Sequence, residues 1–459
     1  MDITEVLSRN ERRATIGLAA IYGLRMLGMF LILPVFALYA AHIPGGESHL
    51  MVGLALGAYG LTQGLLQLPL GMLSDRIGRK KVIVFGLVLL ALGSFVAAAA
   101  TTVQGIILGR VIQGAGAVSA VVAALLADLT REEQRTKAMA GIGATIGLAF
   151  AVSLVMGPVL DKWVGVPGIF ALTGVLAIAA IGVVLFYVPR PALSHFHADA
   201  EASPARLKDV LRDAQLLRLN YGIFALHTAQ MAMFVVVPVA LANYAGLPKE
   251  HHWWVYLPVM AGSLLLAVPG IIVGEKRGKL KPVFVGAVAL MLAAQVALSQ
   301  SMHSLAGLVA ALFAYFAAFN LLEATLPSLI SKLAPASAKG TAMGVYNTAQ
   351  SLGIFVGGVA GGWLAQHQGF GSVFALCAVV MGGWLGLAPG MQPPPAVKTR
   401  MFRVENLSPS QAQELRASLA AVGGVVEAAV LADEGVAMLK VKQSGWDETA
   451  AMQLIRGEA

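Results

Sequence analysis

Charge is scarce in this sequence: Asp, Glu, Lys and Arg together make up 12% of its 459 residues. Soluble domains carry about 25%, so an ordinary water-soluble enzyme is excluded. Cysteine is scarcer still. Cys377 stands alone inside an apolar run, which rules out a disulfide framework and a thiolate metal cluster. No metal-ligand spacing, no nucleophile-base-acid set and no strand-to-loop phosphate cradle is present. We therefore expect no enzyme activity, no metal, no bound cofactor and no ATP hydrolysis. The cluster Val-Gly-Gly-Val-Ala-Gly-Gly at 356–362 reads instead as a close helix contact. The opening MDITEVLSRNERRAT holds acids and no short apolar core ending in a cleavage site, so no removable signal peptide is expected.

Apolar residues are abundant, at 58%. Crossing about 30 Å of hydrocarbon takes about 20 of them per helix. Twelve stretches qualify: 14–41, 50–73, 81–102, 104–128, 138–160, 168–189, 219–245, 254–274, 282–301, 304–331, 341–365 and 371–390. The expected fold is an all-α membrane protein of twelve transmembrane helices. The net charge of +8 lies between these stretches, which argues for a lipid bilayer and against a nucleic acid as the partner. With the N-terminus inside, the inner segments gather Arg and Lys at 9–13, 76–81, 131–137, 206–218 and 276–281, while the outer loops carry Lys162 and Lys249. That bias places both termini in the cytoplasm.

Residues 190–218 interrupt the rhythm. Ser203-Pro204 can start a helix with Leu207, Val210, Leu211 and Leu217 on one side, an amphipathic helix expected on the membrane surface. The expected division is thus 1–190 (six helices), 191–218 (linker), 219–392 (six helices) and 393–459. The last segment reads βαββα, with a capped helix from Ser408 and a turn at Asp433-Glu434-Gly435. It resembles a small α+β ferredoxin-like domain, without the Cys-x-x-Cys of heavy-metal carriers.

The sharpest motif is Gly71-Met-Leu-Ser-Asp75-Arg76-Ile-Gly78-Arg79-Lys80-Lys81. Its pattern is echoed 200 residues later by Glu275-Lys276-x-Gly278-Lys279-x-Lys281, with Pro69 matched by Pro269. The first copy resembles the signature loop between the second and third helices of the major facilitator superfamily, and the resemblance covers about 390 residues. It implies two six-helix halves that rock about a central site. It further implies that Asp75 caps the helix starting near Gly340-Thr341 and that Arg79 pairs with Asp128, latching the inner face. Gly109-Arg110-Val-Ile-Gln113-Gly114 resembles an arginine motif of the same family, which implies a part for Arg110 in proton transfer. Gly143, Gly147 and Gly157-Pro158 partly match its antiporter motif, without the later glycine pair.

Charges at membrane depth are costly and usually functional. Arg25 lies roughly 16 Å into the first helix, where it either bonds backbone carbonyls or faces a cavity. Glu323 lies roughly 12 Å in and His227 at similar depth. Glu323 is a candidate proton carrier, since a carboxyl moved between oil and water can load and release a proton; the alternative is a polar contact with Asn320. His227 either exchanges protons or is a satisfied structural residue. Tyr59, Gln63, Gln67, Gln113, Gln230, Tyr315, Asn320, Asn347 and Gln350 could line a cavity, neutral and hydrogen-bonding, suited to an amphiphilic organic solute. Helix-to-helix bonding is the alternative for each.

These observations together suggest a proton-coupled antiporter of the multidrug-efflux kind, a monomer in a bacterial inner membrane, driven by the proton gradient. A membrane sensor or an uncoupled facilitator regulated by the C-terminal domain is the rival reading.

Overall fold

A computed structural model describes residues 8–130, 132–190, 204–276, 279–335, 338–392, 397–404, 407–432, 435–442 and 445–456. α1 (Arg9–Phe30) begins on a capping box, with Ser8 Oγ accepting from the Glu11 amide at 3.2 Å and Glu11 accepting from the Ser8 amide at 2.8 Å. Pro34 cannot donate to a helical ladder. The trace breaks there and resumes as α2 (Phe36–Ala40) to finish the first crossing. α3 (His49–Ile77) and α4 (Arg79–Ala99) meet at Gly78, whose φ of 101° a side chain would resist. α5 (Val103–Ala115) and α6 (Ser119–Leu129) make one crossing interrupted at 116–118. α7 (Glu132–Gly182) contains two crossings fused in a single trace and bent at Gly165, φ 65°; it ends in a π-helical turn, Val183–Tyr187.

The linker differs from expectation. α8 (Pro204–Val210) is two turns long, and residues 191–203 lie outside those described. Asp213 then accepts from the amides of Gln215 (2.7 Å) and Leu216 (3.1 Å), so a new helix starts there and Leu217 joins the seventh crossing. Local capping overrides the continuous amphipathic pattern. The remaining crossings are α9 (Ala214–Val239), α10 (Trp253–Lys276), α11 (Leu280–Gln300), α12 (Leu305–Leu333), α13 (Lys339–Gln368) and α14 (Phe370–Leu387).

Nine helices among the described residues are long and apolar enough to span a bilayer by composition alone. One of these, Gly141–Tyr187, is the bent pair. α1, with five charged residues, and α13, rich in Gly, Gln and Thr, fall short on average hydropathy yet pack as full crossings. Counting the bent pair as two and adding these gives twelve.

Glycines set how closely the halves approach. A Cβ on Gly53 would lie 2.0 Å from the Gly358 carbonyl oxygen, and one on Gly362 would lie 2.3 Å from that of His49. Gly57 and Gly60 meet α13 the same way at 3.0 and 2.6 Å. α3 and α13 therefore touch backbone to backbone over the half remote from Gly78, the kind of approach small residues permit inside a membrane. We call the end bearing Arg76 and Lys80 the basic face and the other the far face.

After residue 396, β1 (Val397–Arg403), α15 (Pro409–Ala421), β2 (Val425–Leu431), β3 (Val436–Lys442) and α16 (Glu448–Arg456) build a separate small core around Leu419, Ala437 and Leu439. The sheet order is β1-β3-β2, with β3 antiparallel to both neighbours. This is the ferredoxin-like arrangement without a fourth strand among the described residues.

Candidate functional site

At the basic face, Gly78 turns the chain so that Arg79 points back into the first half, where it is 3% exposed. Its guanidinium donates to Ser74 Oγ at 2.8 Å, pairs with Asp75, and approaches the fully buried carboxylate of Asp128 at 3.4 Å. A buried cation between two acids and a hydroxyl is well compensated. Asp75 finds its ion pair locally, four residues away across the Gly78 turn, with its side chain 39% exposed. Gly340 and Thr341, at the start of α13, are both buried. Arg76 is exposed, and a Cβ on Gly71 would make only ordinary contact with Ala120 at 3.7 Å. Lys80 has a role that charge counting could not supply: its ammonium donates to the carbonyls of Val184 and Val188, at 2.9 and 2.5 Å, on the π-helical turn that ends α7. A widened turn frees carbonyls, and a lysine satisfies them. Of the second copy of the motif, 275–281, the side chains of 275–278 lie outside the described residues.

Deeper in the first half, Arg25 and Arg110 are each 2% exposed. Arg25 donates to Ser119 Oγ (2.6 Å), Tyr59 Oη (2.6 Å) and Gln63 Oε1 (2.8 Å). Arg110 donates to the Ala55 and Leu56 carbonyls (3.2 and 3.4 Å) and to Gln113 Oε1 (3.0 Å), and its guanidinium carbon stands 4.8 Å from the Tyr59 ring centre. Tyr59 thus touches both cations. Gln63 reaches Ser351 of the other half at 3.3 Å, and Gln113 reaches Ser94 at 2.8 Å. Gln67 is fully buried, with both amide atoms lacking a hydrogen-bond partner.

In the second half, three helices converge on Glu323 of α12. Gln350 of α13 lies between it and His227 of α9, with Gln350 Nε2 at 3.4 Å from Glu323 Oε1 and 2.8 Å from His227 Nε2. His227 Nε2 is 3.8 Å from Glu323 Oε2, while His227 Nδ1 contacts the Ile223 carbonyl at 3.2 Å. That contact assigns the ring hydrogen to Nδ1 in the neutral form and leaves Nε2 free to accept from Gln350. Asn320 bonds Ser263 at 3.0 Å, not Glu323, so the anticipated pair between them does not form. Tyr315 is buried and stacked on Phe319 with its hydroxyl unpartnered, and Asn347 is half-buried.

Between the halves lies a small gap of about 10 Å³, room for a single water at most, lined by Met29, Phe30, Leu33, Tyr59, Arg110, Gln230, Met231 and Ile354. It brings together three residues singled out from sequence: Tyr59, Arg110 and Gln230. At the far face it is shut by the α3 and α13 glycines, by Ser48 donating to Gln366 (2.8 Å), and by Lys249 paired with Asp161 (2.9 Å). Ser119, Ser263, Ser351 and the far-face pairs are not legible in the sequence, because serines and loop charges carry no signal until remote helices are brought together.

The Major Facilitator Superfamily profile matches residues 18–358 and, in an overlapping second stretch, 252–425. The inner membrane transport protein YajR of Escherichia coli is 41% identical over 451 residues, covering 98% of both chains. The multidrug resistance protein MdtH of Aeromonas hydrophila is 28% identical over 349 residues, 74% of this chain and 85% of that one. The fold also matches the crystal structure of a bacterial homologue of the human lysosomal transporter Spinster, in an inward-facing and occupied conformation. There the TM-score is 0.66 at 14% identity, over 83% of this chain and 97% of that one. Twelve crossings, the Gly71 to Lys81 loop with its buried Arg79 and Asp128 pair, and these likenesses agree: the chain is a membrane transporter, not an enzyme, and belongs to the Major Facilitator Superfamily.

Proposed function

We propose that this transporter couples the export of a small organic solute to the inward movement of protons across a bacterial inner membrane, with both termini in the cytoplasm. The observation that carries the reading is the Glu323, Gln350 and His227 cluster. Glu323 is the one carboxylate among the described residues that sits well inside a span, and its partners belong to two other helices. A carboxyl there is tolerated only if neutralised or paired. Its side chain is 32% exposed while Oε2 is buried, so water would reach the carboxyl only when the helices around it part. Rocking of the halves would open such a route to one face at a time, so that a proton taken up with one face open is released with the other open. Gln350 donates to the carboxylate and reports its state to His227. Export is supported by the partial antiporter glycines in α7 and by the multidrug resistance name of one relative. Energy would come from the proton gradient alone, and a monomer contains every residue named.

The test is a screen in sealed proteoliposomes containing a pH-sensitive dye under an imposed gradient. A transported compound should change the dye signal in loaded vesicles and leave protein-free vesicles silent. A compound that crosses at the same rate whatever the gradient, with no dye response, would make the protein an uncoupled facilitator.

A further inference from the structure

Two guanidinium cations sit at membrane depth in the first half with no carboxylate opposite them. All partners of Arg25 and Arg110 are neutral: hydroxyls, amide oxygens and backbone carbonyls. The described acids of this half, Glu11, Glu47, Asp75, Asp128 and Asp161, stand near helix ends and have other partners, Arg79 for Asp75 and Asp128 and Lys249 for Asp161. Contrast Arg79, which the same fold surrounds with acids. Burying an uncompensated charge is expensive, so these two cations are held ready for a negative charge that the chain does not itself supply.

Their hydrogens point the same way. A guanidinium carries five N–H donors; three hydrogen bonds are made by Arg25 and three by Arg110, and Arg25 Nε is buried with no partner. Tyr59 Oη accepts from Arg25, which leaves its own hydrogen to donate elsewhere. Arg110 and Tyr59 both line the gap, whose other walls are mainly apolar.

We propose that this gap, closed to about 10 Å³ here and widened as the halves part, recognises an organic anion: its acid group is held by Arg110 and Tyr59 and backed by Arg25, and its apolar body lies on Phe30, Leu33 and Met231. This assignment rests on the transport reading and narrows its cargo to carboxylates and related amphiphilic acids. The neutral second wall, Gln230 and Ile354, adds no competing charge.

The test is equilibrium titration of the purified full-length protein in nanodiscs, without a gradient, with 1-naphthoate, 1-naphthamide, 1-naphthylmethylammonium and inorganic phosphate. The expected order is naphthoate at least tenfold tighter than the amide, the ammonium weakest, and phosphate unable to displace naphthoate. R110Q and R25Q should each erase the preference for carboxylate over amide, whereas R110K should keep part of it. Y59F, which removes one hydroxyl without changing the packing volume, should weaken naphthoate several-fold and leave naphthamide unchanged, and it serves if the arginine variants do not fold. Undetectable naphthoate binding, equal binding of acid and amide, preference for the ammonium, or displacement by phosphate would each overturn the assignment. Binding of naphthoate by a protein that moves no protons would refute the coupling and leave the anion site standing; proton-coupled flux of a cation would do the reverse.

Discussion

Replacing Gly358 with alanine should pry open the far face. A Cβ at that position would stand 2.4 Å from the Gly53 carbonyl oxygen, a backbone atom that no rotamer change can move, whereas ordinary contact begins near 3.4 Å. The two helices must separate by the difference. With the far face closed they are locked along Gly53, Gly57, Gly60 and Gly362 as well, so separation at one point strains the rest. Overpacking of this kind costs about 1–3 kcal/mol. It penalises only the closed far face, so the balance of the two states should shift by about 5- to 150-fold. Met231→Cys supplies the reporter: position 231 is 4% exposed and lines the gap, and the native Cys377 is fully buried. With a membrane-impermeant maleimide on the far side of sealed vesicles, G358A should accelerate labelling within that range and slow labelling from the basic side. G286A, at a glycine with nothing within 4 Å, should change neither. An unchanged rate in G358A would refute the idea that these glycines hold the far face shut.

Two further substitutions test the basic face and the C-terminal domain. Asp128→Asn leaves Arg79 buried with a weaker partner and should lower unfolding stability by about 3 kcal/mol, read by denaturant titration in detergent; a change within about 0.5 kcal/mol, as for surface sites, would show that the pair is not structural. Lys440 is 5% exposed and ties the C-terminal domain to the transporter, donating to the Ala334 carbonyl at 2.5 Å at the end of α12 and pairing with Glu427 at 3.0 Å. Since α12 also carries Glu323, Lys440→Ala should broaden the distance distribution between spin labels at Ser418 and Lys279, and an unaltered distribution would remove that tether.

The twelve crossings are legible because oily runs of sufficient length have few alternatives, and the inner loops show where the runs end. What the runs conceal is their interruptions. The breaks at 31–35 and 116–118 occur inside apolar sequence, where hydropathy is blind to a missing ladder bond and where Pro34 and Gly116 are the only cues. The end of the linker helix is hidden for a related reason: Asp213 continues the polar side of the amphipathic pattern, and only its carboxylate accepting from Gln215 and Leu216 shows that α9 starts there. In the site, depth along a helix is simple arithmetic, so Glu323, His227, Arg25 and Arg110 could be singled out. Which of them meet could not. Gln350 enters between Glu323 and His227 only because α13 packs along α9, while Asn320 turns to Ser263 because its helix position faces α10.

The measurement that bears most directly on proton coupling is a comparison of two fluxes in one variant. In vesicles loaded with the substrate found by the dye screen, Glu323→Gln should retain solute-for-solute exchange at a rate near that of the unaltered protein and lose all response to an imposed pH gradient. Gradient-driven export by E323Q at the unaltered rate would contradict the role given to Glu323.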